Sequence, residues 1–205
     1  MRNTILATSL FAFALTFSST SALAQERDWH EISVQASGVV TRNSQGNDVT
    51  RHTTDSGGVL INYRFHFNDW LAAEANYGYN RNTHQYFTSG GPFGVQANAH
   101  QTTGALVVTL PSAVNRAEPY VLAGAGIITF DPRFSDLGTI GAASQQTRPT
   151  FVYGLGSNFN LTPTLALRLE YRGLVYRSPD FELTMLNSRT TTHTAQPSVG
   201  FTFRF

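Results

Sequence analysis

Val199-Gly200-Phe201-Thr202-Phe203-Arg204-Phe205 places a bulky apolar side chain at every second position and a small, polar or charged one between. Successive side chains of a β-strand point to opposite faces, so this stretch is a strand with one oily face and one polar face. The same period runs through residues 165–176, where Leu165, Leu167, Leu169 and Tyr171 oppose Arg168, Glu170 and Arg172. It recurs near the start of the chain, where Ile32, Val34, Ala36, Gly38 and Val40 oppose Glu31, Ser33, Gln35 and Ser37. Val59, Ile61, Tyr63, Phe65 and Phe67 then oppose Asn62, Arg64 and His66, and Leu71, Ala73, Ala75, Tyr77 and Tyr79 oppose Glu74, Asn76 and Asn80. Residues 101–110, 120–130 and 150–159 alternate less cleanly and are rich in Gly and Ala. In the last of these, Phe151, Tyr153 and Leu155 oppose Gly154 and Gly156, small residues that suit the interior of a narrow barrel.

The predicted strands are therefore 29–40, 58–67, 70–80, 101–110, 120–130, 150–159, 165–176 and 194–205. Their connections alternate in length. Residues 68–69, 111–119 and 161–164 are short links, whereas 41–56, 81–94, 131–148 and 177–193 are long and rich in Asn, Ser, Thr, Gly and Gln, as solvated loops are. Short turns at one end and long loops at the other describe a transmembrane barrel with an even number of strands. A tilted membrane strand needs about 9–11 residues, so eight strands leave room for four long loops and twelve do not. Aromatics fall at the predicted strand ends, with Trp29, Phe67, Trp70, Tyr120, Phe159 and Phe205 near the short turns and Tyr79, Phe130, Phe151 and Tyr176 near the long loops. They predict two belts at the two water–lipid boundaries. The expected fold class is all-β, an eight-stranded antiparallel up-and-down transmembrane β-barrel. A soluble barrel of the lipocalin kind is the alternative, with the apolar faces turned inward.

The N-terminus reads as a secretory signal. Arg2 is followed by a largely apolar run from Ile5 to Phe17 and by Ser-Ala-Leu-Ala ending at Ala24, so cleavage is expected between Ala24 and Gln25. Residues 1–24 are thus assigned to a removed signal peptide and 25–205 to one barrel domain. Without Arg2, the 14 basic residues fall to match the 13 acidic ones, and all of them are Arg. A neutral chain lacks the basic footprint of nucleic-acid binding. With no cysteine there is no disulfide and no thiolate chemistry.

Four segments, 67–79 (FNDWLAAEANYGY), 119–126 (PYVLAGAG), 161–172 (LTPTLALRLEYR) and 197–205 (PSVGFTFRF), carry a resemblance to the small outer membrane β-barrel superfamily. In architecture the chain resembles the transmembrane domain of outer membrane protein A. The resemblance implies export to the outer membrane of a Gram-negative-type bacterium, with membrane lipids as surroundings and periplasmic chaperones and the barrel assembly machinery as partners during biogenesis. It also implies that Phe201, Phe203 and Phe205 form the assembly signal. No peptidoglycan-binding domain follows the barrel, so a cell-wall tether is not implied.

Arg64, Glu74, Arg168, Glu170 and Arg172 all lie on polar faces, and an eight-stranded barrel is just wide enough for side chains to fill. Charges enclosed there must pair, so these five are expected to form an internal ion-pair network, with an ion pathway or gate as the alternative role. His30, His52, His66, His84, His100 and His193 lack the close spacing of metal ligands, and the glycines at 124, 126, 154 and 156 lie in strands with no helix to receive a phosphate. No metal or cofactor is expected. Ser188, His193 and Asp180 share one loop region and could in principle form a hydrolase triad, though no motif surrounds them. The expected function is non-catalytic, either structural or surface interaction through four extracellular loops that name no ligand. A narrow channel or carrier for small or apolar solutes, and a lipid A-modifying enzyme, are the alternatives.

Overall fold

A strand that is oily on one side and charged on the other satisfies both faces in lipid by closing on itself, which also removes unpaired sheet edges. That closure is what is observed. The structure, a computed structural model, describes residues 29–41, 44–46, 49–53, 56–88, 91–112, 116–133, 145–179 and 191–205. The elements are β1 (His30–Thr41), β2 (Ser44–Gly46), β3 (Val49–Thr53), β4 (Ser56–His66), β5 (Leu71–Thr88), β6 (Gly91–Thr109), β7 (Ala117–Arg133), β8 (Gln146–Asn160), β9 (Leu165–Arg177) and β10 (Thr191–Arg204). β1 and β4 to β10 each pair antiparallel with their neighbours in the chain, and β1 pairs with β10 to close an eight-stranded up-and-down barrel. β2 and β3 form a small hairpin on the upper part of β5. The predicted signal peptide and its cleavage site lie outside the described residues.

The two faces divide as an environment of lipid requires. Leu155, Leu106 and Phe203 are 60%, 57% and 53% exposed, whereas Arg168 and Arg172 are 0% exposed. Ser33, Gln35, Asn62, Asn76, Thr103 and Thr202 are also enclosed. A soluble barrel shows the opposite distribution, because apolar side chains there leave water for the core. The short turns are built locally. Asn68 Oδ1 accepts hydrogen bonds from the Trp70 and Leu71 amides at 3.0 and 2.7 Å, and Thr162 Oγ1 accepts from the Leu165 amide at 3.0 Å. Such side chains stand in for backbone acceptors and let the chain reverse in a few residues.

Two of the expected long loops are largely strand. β5 runs on to Thr88 and β6 begins at Gly91, with pairing from Asn80↔Ala99 up to Thr88↔Gly91. Within 41–56, β3 pairs with β5 from Thr50↔Phe87 to Thr53↔His84. Above the apolar band both faces of a strand meet water, so polar composition there marks solvent and not the end of the ladder. Beyond Asn80, β5 continues for eight residues, about 25 Å at a strand's rise per residue. The loops at 131–148 and 177–193 lie mostly outside the described residues.

Three aromatics assigned to the belts face the lumen instead. Tyr120, Phe130 and Tyr176 are buried at 2%, 2% and 5%. β6 and β7 carry apolar residues on both faces, since Val107, Leu122 and Ile128 point in while Leu106, Val121 and Ile127 point out. With oil on both sides the alternation loses its sign, and parity alone does not tell inside from outside. Trp29, Phe67, Trp70, Phe159 and Phe205 remain exposed at the short-turn end. The assembly-signal candidates Phe201, Phe203 and Phe205 are all exposed on the outer face.

Candidate functional site

The five predicted network residues meet in the lumen. Arg64 and Glu74 are direct cross-strand partners on β4 and β5, and Arg168, Glu170 and Arg172 occupy successive inward positions on β9. Three strands separate β5 from β9 in either direction around the ring, so the two groups sit on opposite walls. The long arginines cross the lumen. Arg168 Nη2 lies 2.6 Å from Glu74 Oε2, and Arg172 Nη2 lies 2.7 Å from Glu74 Oε1. Arg64 holds the same carboxylate from its own wall, with Nε and Nη2 at 2.9 and 2.8 Å from Oε2. Glu170 takes Arg168 Nη2 at 2.5 Å and pairs with Arg172 Nε.

Neutral groups complete the network. Arg168 Nη1 donates to Ser33 Oγ at 3.0 Å, and Asn62 Nδ2 donates to Asn76 Oδ1 at 2.5 Å while lying 3.3 Å from Glu74 Oε1. Gln35 links Asn62 to Ser198, donating at 3.1 Å to the first and accepting at 2.9 Å from the second. Enclosed charges are tolerated only with this degree of pairing, because each loses several kcal/mol of hydration.

Tyr120 is the member that sequence reasoning missed. Its hydroxyl donates to Glu170 Oε2 at 2.6 Å, and its ring lies under two guanidinium groups, 4.3 Å from Arg64 Cζ and 5.1 Å from Arg168 Cζ. Gly156 makes the space, since a Cβ there would stand 2.5 Å from the Tyr120 hydroxyl. The signal was parity: Tyr120 falls in step with Leu122 and Gly124, the inward set of β7. Tyr120→Phe is expected to lower unfolding free energy by about 1.5–3 kcal/mol, the range for a hydrogen bond to a charged group. Urea titration of the barrel in lipid vesicles measures it, and an unchanged midpoint removes Tyr120 from the network.

Three arginines against Glu74 and Glu170 leave one positive charge, which a second layer toward the short turns offsets. Glu31 Oε2 is 3.6 Å from Arg64 Nη1, and Glu31 Oε1 meets Arg204 Nε at 2.9 Å and His66 Nε2 at 3.2 Å. Arg204 also pairs with Glu118, which accepts from Asn160 Nδ2 at 2.7 Å. Glu31, His66, Glu118 and Arg204 line a mouth cavity of about 280 Å³ together with Trp29 and Asp69. Above the network the lining is mixed: Val39, Ile128, Phe130 and Leu174 share with Asn80, Gln101, Thr194 and Gln196 a space of only about 20 Å³, enough for one water.

Of the triad candidates only His193 lies among the described residues. His193 Nε2 is hydrogen-bonded to the Tyr153 hydroxyl at 2.6 Å, and Asp180 and Ser188 lie outside them. No group of three or more His, Asp or Glu residues with metal-binding geometry occurs among the described residues.

A family model described as outer membrane protein beta-barrel domain matches residues 9–205. Among solved structures, the chain is similar to the outer membrane protein OprG from Pseudomonas aeruginosa, with 14% identity, 86% of this chain and 95% of that one covered, and a TM-score of 0.63. Neisserial surface protein A shows 15% identity over 86% and 97% of the two chains with a TM-score of 0.60. Outer membrane protein AlkL, determined in lipid bilayers, shows 14% identity over 92% and 95% with a TM-score of 0.56. At these identities the likeness is one of fold. No curated protein matches.

Proposed function

This chain belongs to the outer membrane protein β-barrel family, and from that premise we propose that it is a non-catalytic barrel with a plugged lumen that presents an extended wall to the cell exterior. The observation that carries the reading is the ion-paired cross-brace from β9 to Glu74, which crosses the interior with buried side chains. The wall is the continuation of β5 and β6 beyond the apolar band, joined by β3. A paired sheet is a stiffer platform for surface contacts than an open loop. The name of one similar structure, Neisserial surface protein A, fits this reading. Outer membrane lipids are the proposed surroundings, and chaperones and the assembly machinery the proposed partners in biogenesis, with the outward Phe201, Phe203 and Phe205 as the recognition element.

Planar-bilayer recordings test the plug. The purified full chain is expected to insert without discrete conductance steps, and reproducible steps of one size overturn the reading. A second reading, a carrier of apolar solutes, is favoured by Val39, Ile128, Phe130 and Leu174 in the lining above the network. Enhanced uptake of an apolar dye into vesicles containing the barrel would establish that role instead.

A further inference from the structure

Three imidazoles face outward in the described wall, and each is hydrogen-bonded to a tyrosine hydroxyl: His30 with Tyr63 at 2.7 Å, His100 with Tyr77 at 2.8 Å and His193 with Tyr153 at 2.6 Å. The third pair is built at a cost in side-chain freedom. Tyr153 on β8 reaches His193 on β10 by lying across β9 at Gly173, where any Cβ would stand 2.4 Å from Tyr153 Cζ. On β9 the next outward position above Val175, the partner of His193, is the exposed Arg177. Two residues along one face are about 6.6 Å apart, so Arg177 stands one outward position above the Tyr153–His193 pair. From Phe203 to His193 the outer face of β10 climbs about 25 Å at the usual rise and tilt, the height of a barrel's apolar band. The patch therefore stands at the band's upper edge, on the long-hairpin side.

Below His193, outward Ala195 of β10 pairs with the exposed Val40 of β1, Pro197 lies opposite Gly38 and the exposed Val199 pairs with Ala36. The β1–β10 ladder skips Gly38 and Val39 opposite Pro197 and Gln196, since a proline has no amide hydrogen to donate. Among the described residues, no carboxylate faces outward on β1, β8, β9 or β10. The opposite rim differs. There Arg81 Nε donates to Asn98 at 2.9 Å, and Asp131 stands across from Asn98 on the same face.

We propose that the β8–β10 rim is a lipid site: Arg177 with the Tyr153–His193 pair takes a phosphate of a phosphorylated glycolipid in the extracellular leaflet. Guanidinium matches phosphate geometry, and the hydrogen-bonded Tyr153–His193 pair keeps one further donor to offer. The inference rests on the membrane-spanning reading. The test is therefore run on barrels already inserted, as shown in the same samples by a boiled-versus-unboiled shift in electrophoretic mobility.

The probe is bisphosphorylated lipid A, with chemically dephosphorylated lipid A and phosphatidylglycerol as comparisons, and retention on the full chain is read by native mass spectrometry. Wild type is expected to retain bisphosphorylated lipid A over both comparisons. Arg177→Gln and His193→Gln are each expected to lower retention about tenfold, the scale of one charge-assisted hydrogen bond. Arg81→Gln, on the opposite rim, is expected to leave it unchanged. Equal retention of phosphorylated and dephosphorylated lipid A overturns the site, as does loss with Arg81→Gln equal to that with Arg177→Gln. Preference for phosphatidylglycerol overturns the assignment to a glycolipid.

Discussion

Glu74→Ala is expected to cost about 3–5 kcal/mol of unfolding free energy, the range for stranding a buried partner. Glu74 is where three guanidinium groups from two opposite walls converge. Removing its carboxylate leaves Arg64, Arg168 and Arg172 in the same enclosed space with Glu170 as their remaining central counter-charge. Of its carboxylate contacts Arg64 keeps only the longer one to Glu31, at 3.6 Å. Domains commonly hold about 5–15 kcal/mol in total, so such a loss is a large fraction of the whole. The measurement is reversible urea unfolding of the barrel in phospholipid vesicles. A loss below about 1 kcal/mol would mean that water, not Glu74, neutralises the arginines, because surface-type pairs have that small worth. Exchange of the braced set for apolar residues of similar volume is a separate matter, since a well-packed apolar plug can match or exceed a buried ion pair.

Leu155→Arg is expected to cost about 2–4 kcal/mol in a bilayer, the range for arginine on the lipid face near the midplane of a barrel. Leu155 is 60% exposed and stands beside Tyr171 on β9 and Val121 on β7, far from both rims. The same substitution on a soluble barrel's surface changes stability by only about 0.5 kcal/mol. The sign and size therefore report the medium outside the wall. Vesicle urea titrations of wild type and variant decide it. A change within about 0.5 kcal/mol would place Leu155 against water or detergent-like surroundings and remove the membrane.

The two substitutions probe the two sides of one wall, and the period of two is what ties them together. Along β9, Leu167, Leu169 and Tyr171 point out while Arg168, Glu170 and Arg172 point in, and neither set can move without the other. That coupling is why an inward charge set on β9 could be expected from 165–176 alone. It is also why β7 resisted reading. With Val121 and Ile127 outside and Leu122 and Ile128 inside, apolar character carries no direction there. Tyr120 was accordingly misplaced in the outer belt, and with it went the hydroxyl that holds Glu170.

The ends of the strands were hidden for another reason. Polar residues along 81–88 look like a loop when the test is oil on one face, because that test applies only inside the hydrocarbon layer. The backbone ladder obeys a different rule: it continues wherever a neighbour continues, and β5 has β6 on one side and β3 on the other.

Strand number, the outward oil and the identity of the five inner charges were written in the order of residues, because alternation in a strand is a local consequence of backbone geometry. Which charge meets which was not. Glu74 and Arg168 are 94 positions apart and face each other only because eight strands close into a ring. The rim pair Tyr153–His193, the crossing at Gly173 and the second-layer contact of Glu31 with Arg204 likewise depend on register between strands. Register is set by closure of the whole barrel, a condition no single segment contains.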